Sequence, residues 1–246
     1  MSERMKVGLT DVRKYVDVDV IQSTSNVTGG NTNLDFISVI DRKPVAALFA
    51  YQYVGDYQTV TGNPHRFFNP GILSAYVQVG NGQRVPLDAM IGTAQSNLVP
   101  YNAGAGGPPV VPATTFQPCV AGDAAEMYRA FLKTTDIVGF KNAECIDFQS
   151  FAGTSYKGQI YGGHKFLLAF DLRQLEFTNF AIPGALKLSL IATHNTIPVA
   201  AVNPGYTGAP PGGPAIVWLF LFMERNVKVI ENAMGTAVIP NWIDEN

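Results

Sequence analysis

Residues 185–192 read Ala-Leu-Lys-Leu-Ser-Leu-Ile-Ala, a segment in which apolar and polar side chains largely alternate. Because successive side chains of a β-strand point to opposite faces, Leu186, Leu188 and Leu190 are predicted to share one face of a strand. Three further apolar segments predict strands: 166–172, which resembles a strand buried on both faces, 216–222 and 227–230. The second half of the chain is therefore predicted to be built from strands.

Strands are also predicted in the first half of the chain. Residues 72–79 and 83–86 flank Asn81-Gly82, and an Asn-Gly pair tolerates positive φ at both central positions of a tight turn. The two segments are therefore predicted to form a β-hairpin. The strict alternation Val-Asp-Val-Asp-Val at 16–20 predicts a strand with one acidic, solvent-facing side. Two apolar, aromatic runs predict further strands: 36–40 and 45–54.

Two segments rich in small residues, glycine and proline, 91–122 and 203–214, are predicted to be long surface loops. The one predicted helix follows the first loop. Asp123 is expected to be its N-cap and Glu126 its capping-box partner, and the helix is expected to run for about two or three turns. Short strands, one helix and two long loops together predict an all-β, two-sheet sandwich.

The composition excludes several classes of protein. Of 246 residues, 24 are glycine and 16 are proline, while 11% are aromatic and only 15% are charged. These values exclude a disordered chain and favour many turns over long helices. The formal net charge of −2 forces neither a nucleic acid nor an anionic membrane as partner.

Targeting and cysteine content point to an intracellular site of synthesis. The longest apolar run, 215–223, is too short for a transmembrane helix of about 20 residues. The N-terminus lacks the apolar segment of a signal peptide. Two cysteines are too few for a disulfide-stapled scaffold, and whether Cys119 and Cys145 pair stays open.

No pattern in the sequence predicts catalysis, a cofactor or a metal site. His65, His164 and His194 lie far apart, without the close spacing of a cupin metal centre. The Gly-X-Ser-X-Lys stretch at 153–157 lacks the last glycine of a nucleophile elbow. Asp17 and Asp19 are predicted to mark the solvent face of a strand rather than a cation site. The carboxylate pairs Glu144/Asp147 and Asp244/Glu245 lack the apolar pocket that acid–base catalysis requires. We therefore predict no catalytic, cofactor-binding or metal-binding residue and no enzymatic activity.

A series of segments, taken in order, resembles one group of viral proteins. It comprises Asn63-Pro64-His65-Arg66-Phe67-Phe68-Asn69, the strand 73–79 with Asn81-Gly82-Gln83 and Val85-Pro86, Met127-Tyr128-Arg129-Ala130-Phe131, Phe166 to Leu172, Gly184 to Leu190, and Trp218 to Ile230. Over roughly residues 40–232 the chain resembles the C-terminal jelly roll of the double jelly-roll major capsid proteins of polinton-like viruses, adintoviruses and virophages. Two positions depart from that pattern: Arg66 stands where an aromatic is usual, and Phe131 replaces a tyrosine. The chain has room for one such jelly roll.

The resemblance implies a single jelly-roll sandwich of two antiparallel sheets with one short helix and two long Pro/Gly-rich loops. It implies an N-terminal arm at 1–35, a jelly-roll domain at 36–232 and a C-terminal tail at 233–246, where Trp242 is expected to act as a docking peg. The expected function is that of a structural capsid protein, not an enzyme, which self-assembles into an icosahedral shell through loop and sheet-edge contacts.

The same resemblance implies which partners the protein has. They are copies of itself, as a trimer or pentamer, together with other capsid proteins. No cofactor and no sequence-specific nucleic acid is expected. An underlying membrane, a hexon-like or vertex position, and a second chain that supplies another jelly roll all stay open. The expected location is the virion, after synthesis in the cytoplasm or nucleus of a host cell. The alternatives are a lectin-like or receptor-binding β-sandwich and, third, a hydrolase or cupin-like enzyme.

Overall fold

The structure is a computed structural model of the chain. It describes residues 9–27, 30–40, 42–55, 64–70, 72–80, 82–92, 124–140, 146–156, 159–162, 165–175, 184–194, 214–232 and 235–240.

In the described part of the chain two antiparallel sheets face each other, formed by eight strands and by a ninth, short strand that pairs only with the end of the longest strand. Sheet A has the order β1-β10-β3-β8, and sheet B has the order β2-β9-β4-β5. The strands of sheet A are β1 (Leu9–Gln22), β3 (Lys43–Tyr53), β8 (Leu168–Asp171) and β10 (Ala215–Asn232). The strands of sheet B are β2 (Asn31–Ile40), β4 (Ile72–Val79), β5 (Arg84–Ile91) and β9 (Gly184–His194).

The order of the strands defines the fold. Along the chain these eight strands alternate between the sheets except at the hairpin β4–β5, and the last strand of each sheet lies between the first and the second strand of that sheet. Two interleaved Greek keys of this kind make a jelly roll. The predicted fold, a single jelly-roll sandwich of two antiparallel sheets, is confirmed.

The core lies between the inner faces of the two sheets. Leu186, Leu188 and Leu190 of β9 are all buried on one face, as their alternation predicted. The rings of Phe36 on β2 and Phe49 on β3 meet edge to face across the sandwich, with centroids 5.4 Å apart. Each large apolar side chain buried in this way stabilises the fold by about 1.5–3 kcal/mol, so the inner faces carry most of the energy that holds the sheets together.

The predicted hairpin is also confirmed. In β4–β5, Val77 pairs with Val85 and Gln78 with Arg84. Gly82 has a φ of +88°, a conformation that glycine adopts without steric cost, and its N–H donates to the carbonyl of Val79 over 2.8 Å.

Helix α1 (Ala125–Ile137) confirms the predicted helix, but its start differs from the prediction. The N-cap residue is Ala124, which makes no side-chain cap hydrogen bond. The carboxylate of Glu126 instead accepts a hydrogen bond from the N–H of Ile91, over 2.9 Å, at the end of β5. The predicted N-cap is therefore wrong, because the helix begins one residue later, and Glu126 bonds to the edge strand β5.

The chain between α1 and β8 contains elements that were not predicted. They are the short helix α2 (Phe148–Ala152) and a small hairpin of β6 (Gly153–Tyr156) and β7 (Gln159–Gly162). Asp147 accepts a hydrogen bond from the N–H of Ser150 at the start of α2, which accounts locally for one of the two carboxylates considered as an acid–base pair.

Both ends of the sandwich differ from the expected domain limits. β1 and the start of β2 lie inside the segment 1–35 that was expected to be an arm. Since β1 pairs along its whole length with β10, residues 9–22 are part of sheet A. The segments 216–222 and 227–230 are one strand, since β1 continues beside β10 as far as Glu231. β11 (Gly235–Pro240), inside the expected tail, pairs with the end of β10. The predicted strand at 166–172 is shorter, Leu168–Asp171, and continues into a 3-10 turn.

Several predictions fall on residues outside the described ranges. They concern most of the two long loops, Cys119, Cys145, His164, Glu144, Asp244, Glu245 and Trp242.

Candidate functional site

Exposed apolar side chains concentrate on the edge strands of the sandwich. Among the described residues nine large apolar side chains are exposed, and eight of them lie on β1, β2 or β5. They are Tyr15, Val16, Val18 and Val20 on β1, Ile37 and Val39 on β2, and Leu87 and Ile91 on β5; the ninth is Phe140, after α1. Scattered single apolar residues are normal on a surface, so it is their concentration on the edge strands that makes these strands a candidate contact site.

The position of these strands decides which surfaces they form. In the described part of the chain β1 and β2 are the first strands of their sheets and lie beside each other at one margin. β5 and β8 lie at the opposite margin. An edge strand presents one row of N–H and C=O groups that its own sheet does not use, which makes it a template for contact with another chain.

The faces of β1 are the reverse of the sequence prediction. Val16, Val18 and Val20 are 39%, 47% and 53% exposed. Asp17 and Asp19, which were expected to mark the solvent face, are only partly exposed and bond across the margin. The guanidinium of Arg42 pairs with Asp17, and the hydroxyl of Ser38 lies 3.4 Å from the carboxylate of Asp19.

A physical reason accounts for this reversal. At the margin of a sandwich the gap between the two sheets opens to water, so a carboxylate can point toward the other sheet without full desolvation. Arg42 supplies the positive charge next to Asp17 that a bound cation would otherwise provide. The valines are left on the outer side of sheet A.

The outer face of sheet A is covered by the chain's own segments over its central strands. The indole N–H of Trp218 on β10 donates to Gln52 on β3 over 2.8 Å, and Gln52 donates in turn to the carbonyl of Pro64 over 2.8 Å. Next to this chain of bonds the ring of Phe67 meets Phe220 with centroids 6.3 Å apart. Residues 64–70 are thereby fixed across the sheet.

The cover extends to the other end of sheet A. Phe140, just after α1, contacts Phe222 with ring centroids 5.6 Å apart, and α1 packs on β8. Ala46, Leu48 and Ala50 of β3, which lie beneath this cover, are therefore almost fully buried. The same cover explains why β8 is buried on both faces although it is an edge strand.

The outer face of sheet B is polar over much of its area, and on its edge strand β2 it also carries the exposed side chains of Ile37 and Val39. Lys187 on β9 and Asp35 on β2 form an ion pair at 2.7 Å, and both side chains are about half exposed. Hydrogen bonds from Lys187 and Ser189 hold the pKa of Asp35 below its usual range. Arg84 lies over the ring of Tyr76 at 5.7 Å from its centroid. The described side chains of this face, Lys187 and Asp35 among them, remain exposed to water.

The two histidines within the described ranges, His65 and His194, do not come together as a reactive site. His65 is exposed on the segment 64–70, whereas His194 is buried in the core. The Tyr51 hydroxyl donates to Thr32 over 2.9 Å, and the Thr32 hydroxyl lies 2.8 Å from Nε2 of His194. Burial raises the pKa of Tyr51 far above its usual range. The three side chains join β2, β3 and β9 in a sealed polar network that a substrate cannot reach.

Metal and membrane features were considered on the same residues. Within the described ranges, no group of three or more His, Cys, Asp or Glu side chains is placed to hold a metal ion. No helix in the described part of the chain is both long and apolar enough to cross a membrane. The residues 153–156 form a strand of a hairpin rather than the strand–turn–helix of a nucleophile elbow.

Sequence reasoning missed the apolar edges. The alternation at 16–20 was the available signal, but alternation alone does not say which of the two faces is turned outward. The position of β1 at a margin, which decides the question, depends on the pairing with β10 more than 200 residues away.

Comparison with known proteins finds likeness in structure only. No protein-family model matches the sequence, and no curated protein matches it. A chain in the cryo-electron microscopy structure of the Sputnik virophage is 11% identical with a TM-score of 0.48, covering 96% of this chain and 40% of that chain. A chain in the crystal structure of PBCV-1 VP54, fitted into a reconstruction of the virophage Sputnik, is 11% identical with a TM-score of 0.35, covering 95% of this chain and 52% of that chain. This chain thus spans about half or less of the length of either.

Proposed function

We propose that this protein is a structural subunit of a viral shell, which works by contact with copies of itself and with other shell proteins rather than by catalysis. The observation that carries the proposal is the concentration of exposed apolar side chains on the edge strands of a jelly roll. A jelly roll is a fold of capsid proteins, and also of lectins and cupins, so the fold alone does not decide between them.

The character of the edges favours assembly over the other two classes. A cupin-like enzyme needs a cluster of metal ligands, and the described residues carry none. A lectin needs a polar concave site for a sugar, whereas the large apolar side chains exposed at the β1 margin are four valines, Ile37 and Tyr15. The sequence resemblance to the jelly rolls of major capsid proteins supports the same proposal.

The proposal includes location and partners. The protein belongs to the virion, as a cyclic trimer or pentamer within an icosahedral shell, with no sequence-specific contact to nucleic acid. Its jelly-roll domain extends from β1 to β10, and the segments before and after it contact neighbouring subunits.

Light scattering coupled to size-exclusion chromatography, followed by electron microscopy of the main fraction, tests this function. We expect a mass several times that of the 26.5 kDa chain, and ring or shell particles. A particle that stays monomeric at the highest accessible concentration and binds sugars on a glycan array would overturn the proposal in favour of a lectin-like module. A monomer that hydrolyses a small-molecule substrate would overturn it in favour of an enzyme.

A further inference from the structure

Strand β1 has a long backbone edge that its own sheet does not use. In the described part of the chain, β1 pairs with β10 along residues 9–22, and no other strand lies on its second edge. Ser23, the residue after β1, continues this register and donates its N–H to the carbonyl of Val217 over 2.8 Å. Alternate residues of an antiparallel strand bond to the same neighbour. The odd-numbered residues of β1 therefore bond to β10, and the even-numbered residues turn their N–H and C=O groups to the second edge.

The side chains of β1 divide between the two faces of sheet A. Val16, Val18 and Val20 form one exposed row on the outer face. Asp17 and Asp19 lie on the other face, at the margin, and are partly exposed. A further strand added at this edge would bond to the even-numbered residues and cover part of the valine row at the same time.

The order of charges along β1 indicates which strand fits this edge. The basic residues Arg13 and Lys14 precede the acidic residues Asp17 and Asp19. When two identical strands run antiparallel, the basic part of each lies beside the acidic part of the other. Opposite charges placed across from each other on neighbouring strands are stabilising, so β1 is complementary in charge to a second copy of itself.

One register satisfies both the backbone and the charges. Hydrogen bonds across the contact require even-numbered residues opposite even-numbered residues, which also keeps the outer faces of both copies on the same side. With Val16 opposite Val16 of the second copy, Arg13 lies opposite Asp19 on both sides of the two-fold axis. A shift of two residues in either direction instead places Asp11 opposite Asp19, or Asp17 opposite itself. Like charges directly opposite each other are destabilising, so the charges select the register centred on Val16.

We propose that β1 of one copy pairs antiparallel with β1 of a second copy, about a two-fold axis at Val16, so that sheet A continues across the contact. In this register Val20 lies opposite Val12 of the second copy, and the two valine rows join. Asp17 keeps Arg42 of its own chain as partner, so the contact does not bury its carboxylate without a positive charge. This inference rests on the proposed function, because a shell built from rings also needs contacts between rings, and an isologous contact of this kind supplies one.

Reversal of the two charges tests the contact and its register. Arg13→Glu and Asp19→Lys each place like charges opposite each other twice, and each is expected to weaken the contact about tenfold or more, so that assembly stops at the ring. The double variant Arg13→Glu/Asp19→Lys is expected to assemble like the parent. An equimolar mixture of the two single variants is expected to do the same, because each mixed contact contains one reversed pair and one native pair. Sedimentation velocity and electron microscopy measure the assemblies.

The control is Thr193→Lys, which introduces the same charge at an exposed position of β9 on the outer face of sheet B and is expected to leave the assembly unchanged. Circular dichroism of each variant verifies that it is folded. If the single variants assemble like the parent, or if the double variant and the mixture both stop at the ring, this inference is wrong while the proposed function stands. A parent chain that forms only a two-fold dimer, sensitive to the same reversals, supports this inference and contradicts the proposed ring. A parent chain that stays monomeric overturns both.

Discussion

The two outer faces of the sandwich avoid exposing a large apolar surface in opposite ways. Over its central strands the outer face of sheet A is apolar and is covered by residues 64–70, α1 and Phe140. The outer face of sheet B is instead polar at its centre, with the exposed apolar side chains of Ile37 and Val39 on its edge strand β2. Neither face leaves a large apolar surface at its centre. What remains exposed and apolar is confined to the margins, and this confinement is the reason for placing the subunit contacts there.

A charge introduced on each outer face gives the largest expected contrast in the free energy of unfolding. Leu48→Asp, on β3 beneath the cover of sheet A, buries an unpaired carboxylate and is expected to cost more than about 3 kcal/mol, enough to prevent folding. Thr193→Asp, at an exposed position of sheet B, is expected to change the free energy of unfolding by less than about 0.5 kcal/mol. Urea denaturation measures both; equal effects would show that the two faces are not different.

Removing a polar side chain should destabilise the fold more on the outer face of sheet A than on the outer face of sheet B. Gln52→Ala removes the partner of both the Trp218 indole N–H and the Pro64 carbonyl and is expected to destabilise the fold by about 1–3 kcal/mol. Lys187→Ala breaks the ion pair with Asp35 on the outer face of sheet B and is expected to leave the free energy of unfolding nearly unchanged, since exposed pairs contribute little. A Lys187 variant as damaging as the Gln52 variant would contradict the assignment of sheet B as the open face.

The sealed core network provides a smaller effect. Tyr51→Phe removes the hydroxyl that donates to Thr32 and keeps the ring in place, so we expect a loss of about 1 kcal/mol, measured by thermal unfolding. Since Tyr51, Thr32 and His194 are almost fully buried, the assembly of subunits should not change. Loss of assembly in a Tyr51→Phe protein that is otherwise folded would mean that the network acts at an interface rather than in the core.

The smallest expected effect is on the pH dependence of the free energy of unfolding. Burial by itself would raise the pKa of Asp171, on β8, but hydrogen bonds from Arg173 outweigh it and hold the pKa below the usual value of 3.8. A carboxyl with a lowered pKa stabilises the fold above its unfolded pKa and loses that contribution as the pH falls below about 4. Because Arg173 is about half exposed, we expect roughly 0.5 kcal/mol. Asp171→Asn should flatten this part of the stability curve; an unchanged curve would contradict it.

Local signals predicted the fold well where they were self-contained. The alternation of Leu186, Leu188 and Leu190 and the Asn-Gly turn before β5 each specify a strand or a hairpin without reference to distant residues. The sequence could not show that 9–22 belongs to sheet A, because that depends on pairing with β10. The alternation also could not tell whether Val18 or Asp17 faces outward, because a strand has two faces and its neighbours decide which is covered.

A cryo-electron microscopy reconstruction of the assembled particle tests the central claim most directly, since it shows which strands meet between subunits. We predict that the edge strands β1, β2 and β5, with their exposed apolar side chains, lie at the contacts between subunits. Subunits that meet elsewhere, with Val16, Val18 and Val20 of β1 left in water, would contradict the account.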